Sequence, residues 1–158
     1  MGGFFGVTSR RNCILDVFFG TDYHSHLGTR RGGMAAYDVK VGFQREIHNI
    51  ENSPFRTKFE HILDEMTGNA CIGCISDSDP QPLLIRSNLG TYAISTIACI
   101  NNADALIDQY LAFSGGHFDA MTGGRINSNE LIAALINQKS SFAEGIRFAQ
   151  SQIEGTAN

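Results

Sequence analysis

The spacing of apolar residues predicts strands and helices in turn along the first third of the chain. A short apolar run over 1–7 predicts a strand at the amino terminus. Apolar positions three and four apart predict a helix over 12–27, and Gly28 is placed to end it in a left-handed conformation. Alternation of apolar and polar residues over 32–50 predicts two strands joined by a turn.

The middle of the chain combines one helical stripe with two β-prone runs. Ser53 and Pro54 have the composition of a helix start, and the stripe that follows them continues to Met66. The runs over 69–76 and 90–100 are rich in residues that favour strands.

Three polar residues mark the starts of helices in the last third. Asn102 is placed to cap a helix that continues to Leu111. Asn127 and Ser141 each precede an acidic residue by three positions, which is the spacing of a capping box. The order of elements is typical of a mixed α+β fold rather than of an alternating parallel one. We therefore expect a single domain over 1–158.

Composition narrows the classes of partner. The chain has 158 residues, of which 42% are hydrophobic, and 12 basic against 16 acidic residues give a net charge of −4. The basic residues form pairs and not a stripe, which argues against a nucleic-acid partner. No apolar run approaches the ~20 residues of a membrane span, and no signal-peptide pattern is present. We expect a cytoplasmic protein with reduced cysteines and no membrane partner.

The candidate metal and redox motifs are weak. Cys71 and Cys74 have the spacing of half a zinc site, but residues three apart on a strand face opposite sides of the sheet. His24 and His26 are two apart on a predicted helix and would face different ways. The acidic stretch over 77–79 fits a solvated turn. We expect no metal site and no cofactor.

Five segments, in order, share their motifs with one known family. The chain opens MGGFFGV where that family has MCGIFGI, and its FFG, HLG and following glycine resemble the YYG, HRG and glycine of the family. CIGCISDS followed by QPL resembles GIGHVRYSTTG followed by QPF. The remaining two matches are 90–106 with the segment around HNGN, and NSNEL with SDTEV. Together these segments resemble the glutaminase domain of class II amidotransferases of the amidophosphoribosyltransferase family.

This resemblance implies an Ntn-hydrolase-like fold, a four-layer αββα sandwich. We expect the sandwich to be incomplete at its carboxyl-terminal end, since 154–158 resembles the start of a further set of strands in the family. The implied partner is a phosphoribosyltransferase domain or a chain that supplies the remaining strands, and the resemblance also suggests a homo-oligomer.

The resemblance also places the catalytic positions, and each has departed from the family. The nucleophilic cysteine, whose own α-amine is the base, is replaced by Gly2, and the arginine that clamps the substrate carboxylate by Ser76. The oxyanion-hole pair Asn-Gly is replaced by Ile97 and Ala98. The aspartate that receives the substrate amine is replaced by Ser128. No catalytic element of a glutaminase is intact in the sequence.

Three functional hypotheses follow. The first is a catalytically empty glutaminase-like domain with a structural or regulatory role. The second is part of a phosphoribosyltransferase that uses free ammonia or another amine. The third is a small-ligand-binding module, in which Arg30 and Arg31 beside Gly28 hold a phosphate or a carboxylate.

Overall fold

A computed structural model describes residues 2–158, which form ten strands and six α-helices. The strands are β1 (Gly2–Thr8), β2 (Arg31–Asp38), β3 (Gly42–Asn49), β4 (Ala70–Ser76), β5 (Leu83–Ser87), β6 (Gly90–Ile94), β7 (Ala98–Ile100), β8 (Met121–Thr122), β9 (Arg125–Ile126) and β10 (Gly155–Ala157). The helices are α1 (Ile14–Tyr23), α2 (Phe55–Phe59), α3 (Ile62–Glu65), α4 (Ala103–Ser114), α5 (Ser128–Ile136) and α6 (Phe142–Gln152). The mixed α+β class predicted from the sequence is confirmed.

The main sheet has four antiparallel strands in the order β1-β4-β2-β3. One of its faces is covered by α1, α2 and α3. Phe18, Phe55 and Phe59 are at most 2% exposed and form the centre of this core. Burial of three such side chains contributes several kcal/mol, at about 1.5–3 kcal/mol each. This core fixes the main sheet and therefore its first and last residues, where the candidate site lies.

A second core joins the carboxyl-terminal helices to the small sheets. Leu131, Leu135 and Ile136 of α5 pack with Leu106 of α4 and with residues of β7 and β10. Helices α5 and α6 approach closely at Gly145, because a Cβ at this position would collide with the carbonyl oxygen of Ile136. Strand β10 pairs with β7, which confirms the prediction that a strand begins near Gly155.

An apolar groove of about 850 Å³ lies between the second face of the main sheet and the hairpin of β5 and β6. Gly6, Ala35 and Ile72 line it from the main sheet, and Thr91 and Tyr92 from β6. Among residues 2–158, β5 and β6 pair only with each other and β1 pairs only with β4. The groove is therefore bordered by strand edges with free backbone groups.

Three details of the predicted elements differ in the structure. Asn102 occupies the N-cap position of α4, but its side chain makes no capping hydrogen bond. Gly28 is extended, with φ −161° and ψ 163°, because a 3₁₀ turn over Ser25–Leu27 separates it from α1. The helix predicted from Ser53 is two short helices, and Pro54 rather than Ser53 occupies the N-cap. Backbone hydrogen bonds between residues three apart tighten the chain between α2 and α3, so that both helices turn apolar residues toward one core.

Candidate functional site

The candidate site lies at one corner of the main sheet, where three strands begin or end. Gly2 is the first residue of β1 and is paired with Ser76, the last residue of β4. Arg31, the first residue of β2, is paired with Ser76 from the other side. Directly paired residues project to the same face of a sheet. The three positions therefore share the face opposite to α1, α2 and α3.

There is no space for a side chain at Gly2. A Cβ there would lie 2.6 Å from the carbonyl oxygen of Ile75 and 2.8 Å from Cδ1 of Ile97. Ile97 thus covers the position that the sequence resemblance predicts for the nucleophile. Neither Gly2 nor Ile97 carries a polar side-chain atom, so the only polar atom among these nearest neighbours is the backbone carbonyl oxygen of Ile75.

Ile97 is held in place through its backbone. Its N–H donates to the carbonyl oxygen of Asn158 over 3.0 Å, and its own carbonyl accepts from the Asn158 N–H over 3.1 Å. Ala98 follows in β7, paired with Ala157 of β10. Hydrogen-bonded pairs alternate in an antiparallel ladder, so the N–H of Ala98 points away from β10.

Gln81 connects the segment before Ile97 to the main sheet. Its side chain is 2% exposed, and Oε1 accepts hydrogen bonds from Oγ of Ser95 and from the N–H of Thr96, each 2.8 Å long. Its carbonyl accepts from Sγ of Cys74 over 3.1 Å. That carbonyl also fills the space above Gly33, where a Cβ would collide with it. Gln81 therefore joins the segment before Ile97 to β4, a structural role that no motif in the sequence predicted.

Ser128 is joined to the same corner through the loop after β4. Its N–H donates to Oδ2 of Asp79 over 3.1 Å. The adjacent Asn127 donates from Nδ2 to the carbonyl of Pro80 over 2.8 Å, and its Oδ1 accepts from the N–H of Asn129. The loop between Ser76 and Gln81 therefore docks the first turn of α5.

The acidic stretch over 77–79 also fixes the loop that precedes β2. Oδ1 of Asp77 accepts a 2.7 Å hydrogen bond from the N–H of Thr29, and this bond lowers the pKa of the Asp77 carboxyl. Ser76 is 2% exposed, and its Oγ accepts from the N–H of Ser78 over 3.2 Å. Both acidic side chains at 77 and 79 thus have structural roles beyond those of a solvated turn.

The two adjacent arginines have different surroundings. Arg30 is exposed and lies 3.9 Å from a carboxylate oxygen of Glu51. Arg31 is half-buried on the face shared with Gly2 and Ser76, and its side chain makes no ion pair or hydrogen bond with residues 2–158. Only Arg31 belongs to the candidate site.

The sulfurs of the CxxC motif do not converge, as predicted. Cys71 lies in the core beneath the helices, with its Sγ 3.4 Å from that of Cys13, whereas Cys74 faces Gln81 on the other side of the sheet. Burial raises the pKa of both Cys71 and Cys74 to about 12. Because the thiolate is the reactive form, neither is a nucleophile near neutral pH.

Comparison with solved structures identifies the fold. The structure of the B. subtilis glutamine phosphoribosylpyrophosphate (PRPP) amidotransferase complexed with ADP and GMP matches 99% of this chain with a TM-score of 0.80 and 22% sequence identity. The chain is similar in fold to the amino-terminal domain of that amidotransferase. A second structure, of the allosteric regulatory enzyme of purine biosynthesis, matches over the same share with a TM-score of 0.79 and 22% identity.

The chain spans 34% of the length of each of these two solved chains. No protein-family model and no curated protein matches the sequence. In the part of the chain that the structure describes, no helix combines the length and the apolar character needed to cross a membrane.

Proposed function

We propose that this chain is an amidotransferase-type domain that does not hydrolyse glutamine and has a structural or regulatory role. The observation that carries the proposal is the closed corner at Gly2. At the place that corresponds to the family's nucleophile there is neither a reactive group nor the space for one, since Ile97 and the Ile75 carbonyl border it within 3 Å of a built Cβ.

The remaining positions of the corner support the same conclusion. Hydrolysis of an amide needs a nucleophile, donors for the developing oxyanion and groups that orient the substrate. Ile97 offers no side-chain donor, and its backbone N–H is bonded to Asn158. Ser76 is buried against Ser78 and cannot form the two-pronged contact that an arginine makes with a carboxylate. Ser128 is neutral, so it cannot replace an acidic acceptor of an ammonium group.

The experiment is a glutaminase assay with a labelling control. We expect the purified protein to release no ammonia from glutamine and to remain unlabelled by a glutamine-mimicking electrophile. We expect the same of Gly2→Cys, because a single lost oxyanion donor costs about 3 kcal/mol and further contacts are also absent. Turnover or stoichiometric labelling of either protein would refute the proposal.

For the structural role, we propose that the domain completes a four-layer sandwich by association with a second copy of the chain. The support is the apolar groove and the free edges of β1, β5 and β6 beside it. Exposed strand edges of this kind favour pairing with another chain. A phosphoribosyltransferase partner that carries the missing strands is the alternative occupant.

Light scattering across a concentration series tests the association. We expect a dimer or larger species, and we expect Ile72→Lys in the groove to shift it toward monomer. Val39→Lys is the matched control, because Val39 is 77% exposed on the turn after β2 and does not itself line the groove. A wild-type monomer at all concentrations, with cooperative melting, would refute self-association, and recovery of a complex only with a phosphoribosyltransferase chain would favour the alternative.

A second candidate function, binding of a small anion, is favoured by Arg31 alone. We propose that its guanidinium, which has no ion pair among residues 2–158, contacts a carboxylate or phosphate at the corner. Inorganic phosphate and glutamate are suitable probes in a thermal-shift titration. We expect Arg31→Ala to abolish any shift and the matched Arg30→Ala to preserve it, whereas equal loss in both would indicate unspecific attraction.

A further inference from the structure

Outside the candidate site, one group of side chains combines two imidazoles and a carboxylate. Glu46 and His48 lie two residues apart on β3, so they project to the same face of the sheet. His61 joins them from the turn between α2 and α3. One potential ligand atom from each of the three side chains lies within 4.8 Å of the others.

The three side chains meet at a single carboxylate oxygen. Oε2 of Glu46 lies 2.7 Å from Nε2 of His48 and 3.1 Å from Nε2 of His61. The side chains are 29%, 35% and 42% exposed, in the order Glu46, His48, His61. The group is therefore half-enclosed, with an open side toward solvent.

The scaffold holds these side chains in place from both directions. Strand β3 pairs with β2 along its full length, which fixes Glu46 and His48 relative to each other. His61 lies between Phe59 and Ile62, both 0% exposed, so the turn that carries it is anchored in the core. The ring of Phe59 also packs edge-on against that of His48, with centroids 4.9 Å apart.

We propose that Glu46, His48 and His61 form a binding site for a divalent transition metal of the zinc type. Zinc is bound at about 2.0–2.2 Å by imidazole nitrogen and carboxylate oxygen, commonly by three protein ligands and a water molecule. Tetrahedral ligands at this distance are about 3.4 Å apart. The two observed nitrogen–oxygen separations would each have to widen by less than 1 Å, with loss of the two hydrogen bonds. Two imidazoles disfavour calcium and magnesium, which prefer oxygen ligands.

A bound metal would link the edge strand β3 to the turn between α2 and α3. A ligand that binds only the folded state raises its stability in proportion to the logarithm of ligand concentration over the dissociation constant. The site is thus expected to act as a structural clamp, independent of the corner around Gly2 and of its proposed lack of glutaminase activity.

The test is zinc and cobalt titration of the full chain in a Cys99→Ser background, which removes the exposed thiol as a competing ligand. We expect one equivalent of zinc by calorimetry, a rise in melting temperature, and the visible absorption of four-coordinate cobalt. Loss of a residue that only supports a metal ligand typically weakens binding 10–100-fold, and loss of a direct ligand should cost at least as much. We therefore expect His48→Ala and His61→Ala each to weaken zinc binding by tenfold or more.

Two further variants separate loss of a ligand from loss of fold. Glu46→Gln keeps the size of the side chain and an oxygen acceptor but removes the anionic ligand, so the cobalt spectrum should change while circular dichroism does not. His117→Ala is the matched control, because His117 lies 3.3 Å from Asp119 in an exposed histidine–carboxylate pair without a second imidazole. The proposal is overturned if zinc does not bind stoichiometrically. It is also overturned if the His48, His61 and Glu46 variants bind zinc as tightly as the His117 variant does.

Discussion

Replacing Gly2 by alanine tests directly whether the corner of the sheet is closed. The added Cβ would lie 2.6 Å from the carbonyl oxygen of Ile75, about 0.8 Å closer than ordinary contact at 3.4 Å. The contact with Cδ1 of Ile97, at 2.8 Å, can relax because it involves the end of a flexible side chain. The backbone oxygen cannot move in the same way, since β4 is paired on both sides, with β1 and β2.

The expected relaxation is therefore a shift of β1, which is an edge strand. Moving its first residue away from β4 would weaken the pairing of Gly2 with Ser76. Overpacking of this kind costs about 1–3 kcal/mol, and the lower half of that range applies at a strand end that can move. At about 2–4 °C per kcal/mol for a chain of this size, Gly2→Ala should lower the melting temperature by roughly 2–8 °C.

Gly6→Ala in the same strand is the matched control. Gly6 projects to the same face as Gly2, but a Cβ there would find its nearest neighbours at 3.3 Å, Cγ2 of Ile72, and at 3.7 Å, the carbonyl of Cys71. A Gly-to-Ala change at a compatible position stabilises by about 0.4–1 kcal/mol through the unfolded chain. Comparing the two variants removes this shared contribution from the measured difference.

The assay is urea unfolding followed by circular dichroism, together with thermal melts. We expect the unfolding free energy of Gly2→Ala to be at least 1 kcal/mol below that of Gly6→Ala. If the two variants are equally stable, position 2 has room for a side chain, and the steric part of the case against a nucleophile there is wrong.

Three further changes test hydrogen bonds made by single side chains. Gln81→Leu leaves the Ser95 hydroxyl and the Thr96 N–H without their acceptor, at a cost of about 1–3 kcal/mol for each unsatisfied group. In urea unfolding, its loss of unfolding free energy should be several times that of Gln150→Leu, on the exposed side of α6. Ser141→Ala removes the cap that accepts from the Glu144 N–H, and a loss of about 1 kcal/mol and a shorter α6 by hydrogen exchange should follow. The hydrogen bond from Thr29 lowers the pKa of Asp77 in the folded state. The stabilisation that this carboxylate contributes is therefore present above its unfolded pKa and is lost as the pH falls through its folded pKa. Asp77→Asn should flatten the acid side of the plot of unfolding free energy against pH, and an unchanged plot would contradict this assignment.

Local sequence signals predicted the elements that local interactions decide. Asn127 and Ser141 cap α5 and α6 through the expected side-chain oxygens, because a cap depends on residues two or three positions away. In a capping box the acidic side chain also accepts a hydrogen bond from the backbone N–H of the cap residue, but Glu130 and Glu144 accept from other groups. The Glu130 carboxylate accepts instead from the N–H groups of Asp119 and Ala120, so a neighbouring loop competes successfully for it.

Other elements were missed although a signal was present. Strands β8 and β9 are joined by Gly123 and Gly124, with φ values of 59° and 79°. Two consecutive glycines with positive φ are typical of a tight hairpin turn, so the Gly-Gly pair could have predicted it. Strand β5 begins directly after Pro82, and no turn signal in the sequence predicts it. It is defined by its pairing with β6.

The candidate metal group shows why site prediction from one sequence is limited by topology. Glu46 and His48 have the two-residue spacing of one strand face, which the sequence displays. His61 lies 13 positions beyond His48, and only the packing of α2 and α3 against the sheet brings it within reach. The spacing of Glu46, His48 and His61 along the chain matches neither a helical pair of ligands nor a zinc finger, so the sequence alone predicted no metal site.

The positions that the sequence resemblance predicts to be retained and those that it predicts to have departed from the family have different physical roles. Gly33 leaves the space that the Gln81 carbonyl fills, and Gln81 holds the segment before Ile97. Asn102 donates to the carbonyl of Gln152 and accepts from the Glu154 N–H, which fastens the start of α4 to the chain after α6. Each of these matching residues makes contacts within the chain, so its replacement would cost stability whether or not a substrate binds.

The positions predicted to have departed from the family are not constrained by contacts of this kind. A nucleophile, a carboxylate clamp or an oxyanion donor acts on a ligand, so its replacement removes contacts with that ligand. Gly2 and Ile97 pack against each other in the space concerned, and Ser76 satisfies its hydroxyl locally with Ser78. Because the two sets of residues do not overlap, the proposed absence of glutaminase chemistry is compatible with a fold that matches the solved amidotransferase structure with a TM-score of 0.80.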